Sequence, residues 1–137
     1  MSAEQYVLDS WAVLAWLENE PSKKIVSDLL RQAEHDEITL WMTVINIGKV
    51  LYITEREKSL SDAQTALAIM DSVPIKQVEA SRTLALQAAH YKAKFRMSYA
   101  DCFALALAKQ LQATLVTGDP ELRDQQEAQV LWMGPTE

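Results

Sequence analysis

An α/β fold is what the sequence predicts: three layers, with helices on both faces of a mainly parallel sheet of four to five strands. Three observations lead there. Short, mainly apolar runs recur along the chain, at residues 6–8, 38–42, 114–117 and 130–133, and three of the four stop at Asp or Gly. Between them lie longer stretches whose apolar residues repeat at the three- and four-residue spacing of a helix face. The 137 residues hold only three glycines and four prolines, are 49% hydrophobic and 23% charged, and so suit a compact, helix-rich chain. Strands separated by helices connect through right-handed crossovers into a parallel sheet covered on both sides.

The elements follow in order. Tyr6, Val7 and Leu8 make a short buried strand that ends at Asp9 and Ser10 and passes into the helical pattern Trp11, Leu14, Ala15, Leu17. Pro21 and Ser22 open a second helix, with Ile25, Val26, Leu29, Leu30 and Ala33 on one face, closing near His35 and Asp36. Ile38 to Met42 form the second strand. A longer helix over 44–57 puts Ile47, Val50, Leu51 and Thr54 on one face and Lys49 to its side. The next helix begins at 59–61, where Ser61 and Gln64 have capping-box spacing. Residues 74–78 alternate as a short third strand does. Two helices follow, over 81–95 and 99–111, the second dense in alanine for close packing. Residues 114–117 are a fourth strand, broken by Gly118, Asp119 and Pro120, and 130–133 read as a fifth.

The chain reads as one domain over 1–137, large enough to bury roughly two-thirds of its unfolded surface. A single cysteine, Cys102, leaves no internal disulfide, and the first residues lack the basic flank and apolar run of a secretion signal. No run approaches the roughly 18 apolar residues of a membrane span. A cytoplasmic location is therefore expected. The formal net charge of −6 argues against broad duplex binding driven by counterion release. Local basic strips remain, at Lys92, Lys94 and Arg96 and at Lys23, Lys24 and Arg31.

Asp9 and Asp119 each follow a strand directly, so both project into the crevice beyond the carboxyl ends of the sheet, where ligands of open α/β folds bind. Singly, each acid has a structural use: Asp9 as a helix cap, Asp101 in a capping box with Ser98, Asp119 in a turn. Jointly, three carboxylates in one crevice repel one another, and a hard divalent cation, Mg²⁺ or Mn²⁺, relieves that repulsion most readily. His35, His90 and Cys102 lack the spacing of zinc ligands. Of the four tryptophans, Trp41 and Trp132 read as core. Trp11 and Trp16 with Leu14 and Leu17 suit a groove for an amphipathic helix.

The strings YVLDSWAVLAWL, VINIGKVLY and YADCFALALAKQLQATLVTGDPEL resemble the PIN domain, in particular the VapC-type toxins of prokaryotic toxin–antitoxin pairs, and the resemblance extends over nearly the whole chain. The resemblance implies an α/β/α fold and a metal-dependent endoribonuclease acting on RNA. It also implies a small antitoxin partner and a homodimer. Asp9, Asp101 and Asp119 match the family's acidic metal positions, and Ser10 and Thr117 the small polar residues beside them. Asn46 and Thr43, near the start of the middle helix, are placed to contact RNA, with helix capping the more natural use of Thr43. One position departs. After Asn46 and Gly48 the family carries glutamate, and this chain carries Lys49. Three aspartates and one ammonium sum to −3 + 1 = −2, which lowers the demand for metal. The alternative function is thus a PIN module with weak or no catalysis that binds RNA or protein. A phosphoacceptor receiver domain, which also gathers aspartates and a lysine, is disfavoured because Ser10, not a second acid, follows Asp9.

Overall fold

Alternation within the apolar runs sets the sheet. In the computed structural model, which describes residues 4–135, β1 (Glu4–Leu8) lies centrally, with β2 (Ile38–Thr43) and β3 (Ile75–Val78) on one side. On the other side lie β4 (Thr114–Thr117) and β5 (Val130–Trp132), giving the order β3-β2-β1-β4-β5, with every pairing parallel. The register pairs Tyr6 with Leu40 and Thr114, and Leu8 with Val116. Successive side chains therefore enter opposite cores: Leu8, Leu40 and Val116 enter one, Val7 and Leu115 the other.

The first core is closed by α1 (Ser10–Leu17), α2 (Lys23–Glu34), α3 (Val44–Glu57) and Met70 of α4 (Leu60–Ser72). The second is closed by α5 (Arg82–Lys94) and α6 (Tyr99–Leu111). The expected α/β/α sandwich is the fold found. Every residue of α6 from Asp101 to Ala108 is buried, which explains its alanines: small side chains let a helix lie flush between sheet and α5. Each fully buried leucine or valine of these cores contributes about 1.5–3 kcal/mol, so the two faces are held independently of the loops at the sheet's ends.

Three local expectations are corrected. The α4 cap is Ser59, whose side chain accepts from Asp62 N, while Ser61 lies within the helix; Ser59 is the residue with extended backbone, as a cap requires. The turn after Gly118 continues into a short helix, α7 (Pro120–Arg123), because Pro120 at its first position has the right φ and needs no N–H partner. Trp41 and Trp132 are half-buried rather than core. Trp41 donates from Nε1 to Gln5 Oε1 at 2.8 Å, and the Arg123 guanidinium lies 4.8 Å from the Trp132 ring centre. Strand order reverses between β1 and β4, so the crevice at their carboxyl ends opens between Asp9 and Asp119.

Candidate metal centre at the carboxyl end of the sheet

Asp9 caps α1. Its Oδ1 accepts from Ala12 N at 2.8 Å, its Oδ2 accepts from the Thr117 hydroxyl, and the carboxylate is fully buried. The same Thr117 Oγ1 accepts from Asp119 N at 2.9 Å. Thr117 therefore joins the ends of β1 and β4, and fixes the backbone that presents Asp119. Asp119 in turn caps α7, its Oδ1 accepting from Glu121 N at 3.0 Å.

Asp101 stands in the first turn of α6, where Ser98 is the N-cap and accepts from Asp101 N at 3.1 Å. The spacing suggested a reciprocal capping box, in which Asp101 would reach back to Ser98 N. The structure gives that role to another acid: Ser98 N donates to Glu121 Oε1 at 3.3 Å. Asp101 is left with Oδ2 buried and without a hydrogen-bond partner. A buried, unpaired carboxylate oxygen is costly, and in native proteins it calls for an ion or other ligand.

Ligand oxygens of Asp101, Asp119 and Glu121 lie within 4.8 Å of one another. Opposite oxygens of an octahedral Mg²⁺ shell, at about 2.0–2.1 Å from the ion, stand roughly 4.2 Å apart. The oxygen-only set with one orphaned oxygen thus fits a hard divalent ion after slight contraction. Sequence reasoning missed Glu121. The Asp-Pro-Glu spacing after a strand was its only signal, and reading those residues as a plain turn hid that α7 folds the acid back toward Ser98. Asp9 stands behind this set, its oxygens engaged as described.

Burial raises Asp9 to about 7, opposed by the Thr117 hydroxyl and Ala12 N–H, with Asp119 pushing further up and Lys49 down. Burial also raises Asp101, to about 8. The near contact with Asp119, close enough to share a proton, adds to this, as do the charges of Asp119 and Asp9, while Lys49 again opposes. Lys49 Nζ donates to Ser98 Oγ at 3.3 Å.

Ser10 and Asn46 form a buried brace. Ser10 Oγ donates to Asn46 O at 2.9 Å, and Asn46 Nδ2 donates to Ser10 Oγ at 3.1 Å and Ala100 O at 3.3 Å. Thr43 caps α3 and bonds to the Asn46 side chain. Asn46 is wholly enclosed, so it ties α1, α3 and α6 together rather than facing RNA.

A parallel sheet with helices on both faces and carboxylates gathered at its switch point defines an open α/β protein with an acidic ligand crevice. The chain belongs to the PIN domain family, whose model matches residues 6–127. Among solved structures it is similar to VapBC2 from Rickettsia felis bound to a promoter DNA fragment. That match has a TM-score of 0.73 at 16% identity and covers 93% of this chain and 97% of the other. It is similar to VapBC-1 from nontypeable Haemophilus influenzae, with a TM-score of 0.69 at 17% identity over 94% and 98% of the two chains. It is also similar to VapC20 from Mycobacterium tuberculosis, described as a sarcin-ricin loop cleaving toxin, with a TM-score of 0.65 at 14% identity over 85% and 90%. Among curated proteins no sequence matches.

Proposed function

We propose that this chain is a VapC-type endoribonuclease that uses Mg²⁺ or Mn²⁺ to cut RNA phosphodiesters. The observation that carries the reading is the buried, unpartnered Oδ2 of Asp101 in a cluster with Asp119 and Glu121. Membership of the PIN family and the cleaving activity named for the similar VapC20 support the choice of RNA. Asp101, Asp119 and Glu121 would hold the ion. Bound there, a divalent ion supplies an acidified water and offsets charge on the phosphoryl oxygens. Asp101, held protonated by burial, would release its proton to bind a cation. Thr117 locks Asp9 and the Asp119 backbone into one arrangement, and the Ser10–Asn46 brace holds the start of α6 against α1 and α3.

A groove of about 320 Å³, lined by Trp11, Leu14, Ala15, Ile53, Glu18, Glu20 and Glu57, has an apolar floor and an acidic rim. Trp11 also packs over Gly118, beside Asp119, so the groove adjoins the site. A small antitoxin with a basic amphipathic segment fits that surface, as the VapBC assemblies named above suggest. The working toxin is a homodimer in this reading, and it acts in the cytoplasm. No helix of the described residues is long and apolar enough to cross a membrane.

The test is cleavage of a mixed RNA pool with Mn²⁺ or with chelator, by the unmodified chain, Asp101→Asn and Glu121→Gln. Cutting that needs Mn²⁺ and disappears in Asp101→Asn supports the reading; cutting that persists in chelator sinks it. Lys49 beside the carboxylates favours a second reading, an RNA- or protein-binding module without catalysis. That reading gains if only Lys49→Glu cuts.

A further inference from the structure

Lys49 leaves α3 beside the carboxylates and is anchored, its Nζ donating to Ser98 Oγ at 3.3 Å. That same hydroxyl caps α6, so the ammonium is held at a helix N-terminus. Helix dipoles repel cations there and attract anions. A lysine in that position is stable only if nearby negative charge outweighs the dipole. Asp9, Asp101, Asp119 and Glu121 are the acids that supply it, and Lys49 in turn favours the ionised forms of Asp9 and Asp101 against the burial that raises them. The lysine acts on Asp9 and Asp101 through space: among the described residues its ammonium forms no ion pair with a carboxylate.

We infer that Lys49 is the resident cation of this pocket: tethered on Ser98, it stands in the field of the inner acids Asp9 and Asp101 and confines divalent metal to one ion on Asp101, Asp119 and Glu121. This deepens the metal reading above and rests on it. The physical consequence is competition. A fixed positive charge lowers the pocket's attraction for Mn²⁺, and it also lessens carboxylate repulsion when no metal is bound.

Two measurements on the full chain separate these effects: Mn²⁺ titration calorimetry, and thermal unfolding in chelator, for the unmodified protein, Lys49→Met, Lys49→Arg and Lys49→Glu. Met keeps the aliphatic stem and removes the charge. Lys49→Met is expected to bind Mn²⁺ about tenfold more tightly and to unfold earlier in chelator, with Mn²⁺ restoring it. Lys49→Arg should behave as the unmodified chain, and Lys49→Glu should take up a second ion. Unchanged Mn²⁺ affinity together with an unchanged chelator midpoint in Lys49→Met would overturn the inference. If no variant binds Mn²⁺, the metal reading falls, and the inference falls with it.

Discussion

Asp101 shows how a single side chain trades stability for chemistry. Its carboxylate is buried with one oxygen unpaired, next to Asp119 and within the field of Asp9. Replacing it by Asn removes the like-charge repulsion, so above about pH 8, where Asp101 is ionised, the metal-free protein should melt higher than the unmodified chain. The same change should abolish the rise in melting temperature on adding Mn²⁺. It should also reduce cleavage by more than the roughly 10–100-fold that loss of an outer-shell partner costs. Lower metal-free stability in Asp101→Asn would show that its charge is already compensated. A pH dependence follows from the same burial. Asp9 is raised to about 7 and Asp101 to about 8, against about 3.9 for an unfolded aspartate. Between those limits the native state binds protons that the unfolded chain has released, so stability falls as pH rises. The site's contribution is fully present below about pH 4 and is lost by about pH 8. Unfolding in chelator should therefore occur at a lower temperature at pH 8.5 than at pH 5. Mn²⁺ should narrow the gap, because its binding needs the deprotonated acids. A midpoint that rises with pH in chelator would contradict this.

Helix ends decide where each acid points, and α3 and the β4–α7 turn show this with two glycines. Gly48 lies mid-helix and exposed, and a Cβ there meets nothing within 4 Å. Gly48→Ala should raise stability by about 0.5–1 kcal/mol in denaturant titrations, from helix propensity alone. Gly118 is the opposite case: its added Cβ would lie 2.4 Å from the Trp11 ring. Gly118→Ala should destabilise, since Trp11 and the Asp119 backbone must both shift. A gain in stability at Gly118 would show that Trp11 moves freely. The elements were largely legible from periodicity. Helix 44–57 and strand 114–117 match their observed bounds, because Thr43 is a capping residue at an abrupt change of period and Gly118 stops the strand. The ends of α4 were not, since Ser59 and Ser61 are both capping residues and only backbone geometry chooses between them. The site was legible in part. Asp101 and Asp119 were readable from their place after Ser98 and after β4. That Glu121 takes over the back-bond to Ser98 N, and so frees Asp101, depends on α5, α6 and β4 bringing together residues 23 apart.

At the scale of the whole molecule, the acidic balance and the use of its cations set how RNA is held. The net charge is −6, and five of the thirteen basic side chains are already engaged within the protein. Lys24 and Arg31 pair with Asp28, Lys94 and Lys109 with Glu127, and Lys92 donates to Met97 O at 2.9 Å. The expected basic strip at Lys92, Lys94 and Arg96 thus has two of its three members occupied within the protein. Lys49 is held beside the carboxylates on Ser98, and Arg123 of α7 stacks on Trp132. Binding of a single-stranded RNA should then displace few counterions. With about two or three phosphates contacted, at roughly −0.7 per phosphate, log affinity should fall with log salt at a slope of about −1.5 to −2. The measurement is fluorescence anisotropy of a labelled RNA on Asp101→Asn, which binds without cutting, across a series of salt concentrations at constant Mn²⁺. A slope steeper than about −4 would mean that a large basic surface engages RNA. Opening of the ion pairs at Asp28 and Glu127 on binding would supply part of that surface.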